Sequence, residues 1–112
     1  MKLNVLERVL LGGIMSTYKG SFINLKLIRE GREALSFNEE ETKELSFVEL
    51  DGSVNWNPDA SFRYQDVEIN LGENISSIIK KLLIDLNDKE ELTEQHFSLY
   101  EKFVEPSNLK VI

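Results

Sequence analysis

The 112-residue chain holds one histidine, His96, and no cysteine. Because imidazole titrates near neutral pH, His96 could move a proton if Glu94, Tyr100 or Glu101 lay beside it. No serine stands in a nucleophile elbow, and the lack of cysteine excludes thiolate catalysis, disulfides and zinc ribbons. We therefore expect His96 to pack on or near a helix surface. We predict that the protein is not an enzyme and carries no cofactor.

Two stretches rich in acidic residues are candidate metal sites, because carboxylates bind metal ions. Residues 85–91 superficially resemble a calcium loop, but Lys89 and Glu90 stand where such a loop needs an oxygen ligand and a glycine. Residues 39–41 are all glutamate and lie at the predicted start of a helix, where the helix dipole favours acids. We interpret the first stretch as a turn between helices and the second as a helix start, and we predict no metal.

The charge of the chain is unevenly distributed. The formal net charge is −7; residues 1–35 hold six basic and three acidic side chains, or +3, and residues 36–112 hold seven and seventeen, or −10. An acidic body repels the phosphate backbone, so we do not expect direct binding to duplex nucleic acid. Carboxylates instead attract positively charged protein surfaces over a distance.

Two groups of side chains are candidates for binding. The partner-binding candidates are acids of a predicted helix and an aromatic pair of a predicted hairpin: Glu39, Glu40, Glu41, Glu44, Phe47 and Trp56. Exposed aromatic pairs are typical of binding hot spots, whereas buried ones belong to the core. The anion-binding candidates surround the basic second helix: Tyr18, Lys19, Lys26, Arg29 and Arg32. Arginines three residues apart share a helix face, and their planar guanidinium groups suit phosphate.

The elements that must position these groups follow from the hydrophobic pattern. Apolar residues at helical spacing predict a short helix over residues 2–11, ended by the glycine pair 12–13. A second helix is predicted from Ser21, with Gly31 on its apolar stripe, where close approach of another element would explain a glycine. Overlapping capping boxes predict a third helix over 38–45.

The second half of the chain begins with β-rich runs. Two such runs flank residues 51–52, an Asp-Gly pair, and predict a hairpin with a type I′ turn that places Phe47 opposite Trp56. Strict alternation over residues 67–71 predicts a third strand with one wet face. Apolar positions over residues 75–86 then predict a long helix.

The last predicted helix carries an aromatic stripe from Phe97 to Val104, with Thr93 as its cap and Pro106 at its end. We expect the tail after Pro106 to fray or to dock as an extended piece. The predicted fold is α+β and forms a single domain over residues 1–112. It has N-terminal helices, a small antiparallel sheet of about three strands with a central hairpin, and two C-terminal helices packed on the sheet.

The same pattern argues against a membrane segment. Glu7 and Arg8 interrupt the apolar N-terminal run, and no uncharged stretch approaches the ~20 residues that span a bilayer. We therefore expect a cytoplasmic protein that has no membrane partner.

Four segments resemble a widespread family of small bacteriophage and prophage proteins. They are LNVLERVLLGGI, GSFINLKLIREGREALSFNEEE, VNWN and LTEQHFSLYEKF, and they cover most of the chain in the order and spacing of the family. The resemblance implies an intracellular phage product that acts in the cytoplasm of the host cell. It carries over no functional residue.

Two classes of function remain open. The leading hypothesis is an acidic interaction protein that binds and modulates or inhibits a host protein, such as a defence complex, a nuclease or a polymerase. A phage structural or assembly role belongs to the same class. The alternative is a module that sequesters a small anion, such as a nucleotide, at the basic second helix. Such a pocket could lie at the interface of a homo-oligomer.

Overall fold

The computed structural model describes residues 1–61 and 64–105, and this part of the chain consists of helices and short strands. In chain order they are β1 (Lys2–Leu3), α1 (Val5–Ser16), α2 (Phe22–Leu35), α3 (Glu39–Leu45), β2 (Val48–Leu50), β3 (Ser53–Asn55), α4 (Pro58–Ser61), β4 (Val67–Glu68), α5 (Gly72–Asp88), a 3₁₀ turn (Glu94–His96) and α6 (Phe97–Phe103). The strands form two antiparallel sheets of two strands each. The mixed fold is confirmed, but the sheet of about three strands is not.

The first predicted helix is wrong at its N-terminal end. Asn4 caps α1, because its side-chain oxygen accepts the N–H of Glu7 at 2.8 Å and the Glu7 carboxylate accepts the N–H of Asn4 at 2.9 Å. Lys2 and Leu3 therefore precede the helix and are extended. Their partner is β4, with Lys2 opposite Glu68 and Leu3 opposite Val67. The predicted third strand is thus shorter than expected and pairs with the N-terminus instead of the hairpin.

The glycine pair 12–13 lies inside α1, which continues to Ser16. Each glycine costs a helix about 1 kcal/mol relative to alanine. Leu11 and Met15, both almost completely buried, continue the core-facing stripe across the pair. Burial of these side chains outweighs the low helix propensity, so the predicted end at residue 11 is wrong.

The hairpin and its register agree with the prediction. Glu49 lies opposite Val54, and Asp51 and Gly52 have φ angles of 50° and 78°, as a type I′ turn requires. The helices α2 and α3 also begin where predicted, capped by Ser21 and by the capping box of Asn38.

The main core lies mostly between helices, because neither sheet is large enough to form a layer. Its buried members come from β1, α1, α2, α5, α6 and the segment that follows β4: Leu3, Leu11, Met15, Ile28, Leu35, Ile69, Leu71, Ile75, Ile79, Leu83, Leu99 and Phe103. The expected packing of two C-terminal helices on a sheet is thus replaced by packing of α5 and α6 among the other helices. A smaller cluster beside the hairpin contains Val5, Leu45 and Ala60.

Gly31 lies where α2 approaches its neighbours most closely. A Cβ atom there would be 2.6 Å from Met15 Cε and 3.0 Å from Ile75 Cγ2. The predicted close approach is therefore confirmed, and its partners are α1 and α5.

The chain from α5 to α6 turns at Glu90, which has a positive φ of 57°. Thr93 precedes the 3₁₀ turn, and its N–H donates to His96 Nδ1 at 3.0 Å. Phe97 is 67% exposed, so the predicted aromatic stripe is buried only at its later positions. The tail from Pro106 onward lies outside the described residues. Within the described residues, no helix combines the length and apolar character needed to cross a membrane.

Candidate functional site

A buried ion pair holds three helices together. Arg8 on α1 donates from Nη1 to Glu41 Oε2 at 2.6 Å, from Nε to the Leu35 carbonyl at 3.1 Å and from Nη2 to the Ser36 carbonyl at 2.6 Å. Its guanidinium carbon also lies 3.9 Å from the centroid of the Phe37 ring. These contacts tie α1 to the end of α2 and the start of α3.

A second buried carboxylate belongs to Glu7, which is 1% exposed. Its Oε1 accepts from Lys102 Nζ at 2.8 Å, and its Oε2 accepts from Ser98 Oγ at 2.8 Å. Within the described part of the chain, every buried side-chain nitrogen or oxygen has a hydrogen-bond partner. The buried charges are therefore satisfied internally, as a structural role requires.

The acidic partner-binding candidates do not act as one group. Glu41 is 6% exposed and bound to Arg8, so its charge does not face a partner. Glu44 is half-buried and accepts a hydrogen bond from the Tyr64 hydroxyl at 2.7 Å, which together with burial and nearby carboxylates raises the pKa of Tyr64 to about 12. Glu39 and Glu40 are exposed in the first turn of α3.

The aromatic candidates belong largely to the smaller core cluster. Phe47 and Trp56 are half-buried, and their ring centroids lie 6.2 Å apart in an edge-on arrangement. The ring centroid of Phe37 lies 4.8 Å from that of Phe47. The pair therefore packs as predicted for the hairpin, and Trp56 keeps one part open to a surface groove.

Three of the five anion-binding candidates line one groove between α1 and α2, which we call the α1–α2 groove. Tyr18, Arg29 and Arg32 contribute to its wall together with Ser16 and Ser36, and its volume is about 550 Å³. Glu33 adds one acidic side chain to the same wall. The Tyr18 hydroxyl accepts a hydrogen bond from the Asn24 amide at 3.0 Å.

The other two candidates, Lys19 and Lys26, are not part of that wall. Lys26 places its ammonium 5.0 Å from the centroid of the Phe22 ring. Phe22 and Ile23 are 63% and 74% exposed, so the start of α2 presents an apolar patch with a cation beside it.

A second groove, with a mostly apolar floor, runs between α1 and α5. The residues that line this α1–α5 groove are Val9, Leu10, Gly13, Ile14, Thr17, Leu82, Asp85, Leu86, Lys89 and His96, and its volume is about 480 Å³. A neighbouring cavity between α1 and the hairpin shares Val9 and Leu10 with it and is also lined by Leu6, Val54 and Trp56. The outer face of α1 is thus open from Leu6 to Thr17.

The two helices that form the groove present matching patterns. Along α1 and its C-cap Thr17, the lining residues Val9, Leu10, Gly13, Ile14 and Thr17 follow the i, i+1, i+4, i+5, i+8 spacing of one helix face. Along α5 and its C-cap Lys89, the lining residues Leu82, Asp85, Leu86 and Lys89 follow the i, i+3, i+4, i+7 spacing. The groove is therefore bounded by two adjacent helical stripes that pack on the core from the other side.

The end of the groove adjoins a strongly acidic corner, which we define as residues 85–94. This segment holds five acidic side chains and one basic one, a net charge of −4: Asp85, Asp88, Glu90, Glu91 and Glu94 against Lys89. All six are exposed. Among the described residues, no group of three or more histidine, cysteine or acidic side chains is arranged to hold a metal ion.

His96 lies at this end of the groove and is half-buried. Because Nδ1 accepts the Thr93 N–H, the neutral ring carries its hydrogen on Nε2. The expectation that His96 packs near a helix surface agrees with this position. Its ring can donate one hydrogen bond at the groove.

Sequence reasoning missed the groove because it ended α1 at the glycine pair. The available signal was the continuation of apolar residues through Ile14 and Met15. It also missed Arg8 and Lys102 as partners of buried acids, for which the sequence offers no signal, since the pairs are 33 and 95 residues apart along the chain.

No protein-family model, no curated protein and no solved structure matches this chain.

Proposed function

We propose that this protein acts by binding another protein through the α1–α5 groove, and that the bound surface of the partner combines apolar and positively charged side chains. The observation that carries this proposal is the apolar floor of the groove, formed by Val9, Leu10, Ile14, Leu82 and Leu86, beside an exposed corner of net charge −4. Apolar anchors with a charged rim are the composition of a specific protein interface.

The negative charge of this protein implies a positively charged surface on the partner. The whole chain carries −7, and the corner concentrates four of these charges within ten residues. Such a field accelerates the encounter with a cationic surface and repels an anionic one. Proteins that bind nucleic acid, such as nucleases and polymerases, carry cationic surfaces of this kind, so we propose a host protein of that class as the partner.

The surface at the start of α3 is a weaker candidate for the protein-binding site. Of its four acids, Glu41 is bound to Arg8 and Glu44 is bonded to Tyr64, which leaves Glu39 and Glu40 exposed. Apolar side chains nearby belong largely to the small core cluster. This surface therefore offers charge with few accessible apolar anchors.

The experiment compares two double variants that remove the same charge from different places. Immobilised wild type, Asp85→Asn/Asp88→Asn and Glu39→Gln/Glu40→Gln proteins are incubated with bacterial lysate at low and moderate salt, and retained proteins are identified by mass spectrometry. We expect a partner with a basic surface that the wild type and the Glu39/Glu40 variant retain and the Asp85/Asp88 variant loses.

Retention by the Asp85/Asp88 variant with loss in the Glu39/Glu40 variant would move the site to α3. If all three proteins retain nothing at either salt concentration, the proposal fails.

A second candidate function, the capture of a small anion, is favoured by the α1–α2 groove. Arg29 and Arg32 lie on its wall beside Tyr18, and the planar guanidinium groups of these arginines suit phosphate. A ligand that binds the folded state raises the melting temperature, so nucleotides and inorganic pyrophosphate are tested by thermal shift. Arg29→Met should abolish the rise, whereas Lys26→Met, which alters a cation outside the groove, should keep it. No rise at millimolar ligand excludes this candidate.

A further inference from the structure

We propose that the segment bound in the α1–α5 groove is a basic amphipathic helix, whose apolar stripe crosses α1 at Gly13 and whose lysine or arginine side chains face the acidic corner of residues 85–94. This inference rests on the proposed function and specifies its partner.

The geometry of the groove selects a helix. Two neighbouring helices with stripes at helical spacing form a furrow into which the side-chain ridges of a third helix pack. The part of the groove wall from Val9 to Thr17 covers eight residue steps, or about 12 Å, which corresponds to about two turns of an occupant. Recognition of an amphipathic helix by an apolar groove is a recurring mode of peptide binding.

Gly13 supplies a second, independent argument. A Cβ atom at Gly12 or Gly13 would have no neighbour within 4 Å, whereas one at Gly31 would collide with Met15. Internal packing therefore explains Gly31 but not the glycine pair, although both glycines of the pair weaken α1. At Gly13 the missing side chain leaves the backbone of α1 accessible on the groove floor, so that another helix can approach closely.

The charge pattern orients the occupant. Asp85 lies on the groove wall beside Leu82 and Leu86, and the other four acids of the corner are exposed and follow Asp85 within nine residues of the chain. The basic side of a helix that rests its apolar stripe on these leucines therefore meets a negative surface at this end of the groove. Lys89 is the single basic side chain of the corner. It can pair with an acidic side chain of the bound helix. An acidic amphipathic helix would meet a net charge of −4 and would be repelled.

The test uses designed peptides of about 14 residues, long enough for about four helical turns. The Leu–Lys probe has leucine at i, i+3, i+4 and i+7 positions and lysine elsewhere; the Leu–Glu probe replaces every lysine by glutamate, and a scrambled probe keeps the composition without the stripe. Binding to the full-length protein is measured by calorimetry. Wild type, Gly12→Ala, Gly13→Ala and Gly13→Leu are compared.

We expect the Leu–Lys probe to bind the wild type at least about tenfold more tightly than either control peptide. Gly12→Ala should bind it like the wild type, since Gly12 does not line the groove. Gly13→Ala should weaken binding, and Gly13→Leu should weaken it by about tenfold or more, because the side chain fills the floor. Circular dichroism confirms that each variant is folded.

Equal binding of all variants, equal binding of the scrambled probe, stronger binding of the Leu–Glu probe, or no binding at all would overturn the helical assignment. None of these results removes the dependence of lysate capture on Asp85 and Asp88, so the failure of this inference is distinguishable from the failure of the proposed function.

Discussion

Arg8 and Glu41 form a buried bidentate ion pair, in which Nη1 lies 2.6 Å from Oε2 and Nη2 lies 3.3 Å from Oε1. The two residues are 33 positions apart in the chain. Arg8 is 3% exposed, and its Nε and Nη2 also donate to the carbonyls of Leu35 and Ser36. The pair thus fixes where α3 begins relative to α1. An acid that the sequence offers for binding serves the fold instead.

Replacing Arg8 by methionine should lower the free energy of unfolding by about 3–5 kcal/mol, since it leaves Glu41 as an unpaired buried charge and two carbonyls without their donor. Urea denaturation measures the loss. Lys80→Met, which removes an exposed cation from α5, is the control and should change stability by less than about 0.5 kcal/mol. A loss below ~1 kcal/mol in Arg8→Met would mean that the pair contributes little.

The same pair predicts a pH dependence. Burial raises the pKa of Glu41, but hydrogen bonds from Arg8 and from the Asn38 backbone, together with the charge of Arg8, outweigh it, so that the pKa lies below the ordinary value of 4.5. A lowered pKa in the folded state stabilises the protein fully above pH 4.5, and this stabilisation is lost as the pH falls through the folded-state value. In Glu41→Gln this part of the acid dependence should be absent. Unfolding free energies of both proteins across the acid range measure it, and parallel curves would contradict the assignment.

Tyr64 should ionise at a higher pH than an ordinary tyrosine. Its hydrogen bond to Glu44 is the largest of the causes that raise its pKa to about 12 from 10.0. Because the phenol is neutral in the folded state, the associated stability is present below the unfolded-state pKa and is lost as the pH rises through the folded-state value. Phenolate absorbance measured against pH should show an ionisation step with a pKa of about 12. Tyr64→Phe should remove this step, and Glu44→Gln should shift its pKa toward 10.0. An unchanged step in Tyr64→Phe would assign it to another tyrosine.

Glycines in two helices should respond in opposite directions to alanine. Gly12→Ala should raise the free energy of unfolding by about 1 kcal/mol, because the new methyl group meets open space and alanine favours a helix. Gly31→Ala should lower it by up to ~2 kcal/mol, because the methyl group meets Met15 and the branched side chain of Ile75, and overpacking costs more than propensity gains. Thermal or urea denaturation compares them. Equal stabilisation by both would show that Gly31 is not held by close packing.

Local signals in the sequence were sufficient for the hairpin turn, the caps of α2 and α3, and the packing role of Gly31. They failed where tertiary contacts decide. The strand pairing of Leu3 with Val67 joins the two halves of the chain, and no local pattern encodes such a partner. The burial of Glu41 likewise depends on Arg8, which belongs to a helix distant in the sequence. The local charge pattern alone predicts that Glu41 is exposed to solvent.

For the candidate site, the sequence placed Arg29 and Arg32 on one face, and the structure brings them into one groove with Tyr18. The α1–α5 groove was not predicted, because its floor depends on the continuation of α1 through Gly13. A glycine pair ends many helices, so only the packing of Leu11 and Met15 reveals that this one does not.

The place where a cationic amphipathic segment contacts the protein tests the proposed binding site most directly. The measurement is a map of backbone amide chemical shifts in the isotope-labelled protein during titration with the Leu–Lys probe. We expect the largest changes at Leu10, Gly13, Ile14, Leu86 and His96, which line the α1–α5 groove. Changes concentrated instead at Glu39 and Glu40 of α3, or at Phe22 and Ile23 of α2, would contradict it.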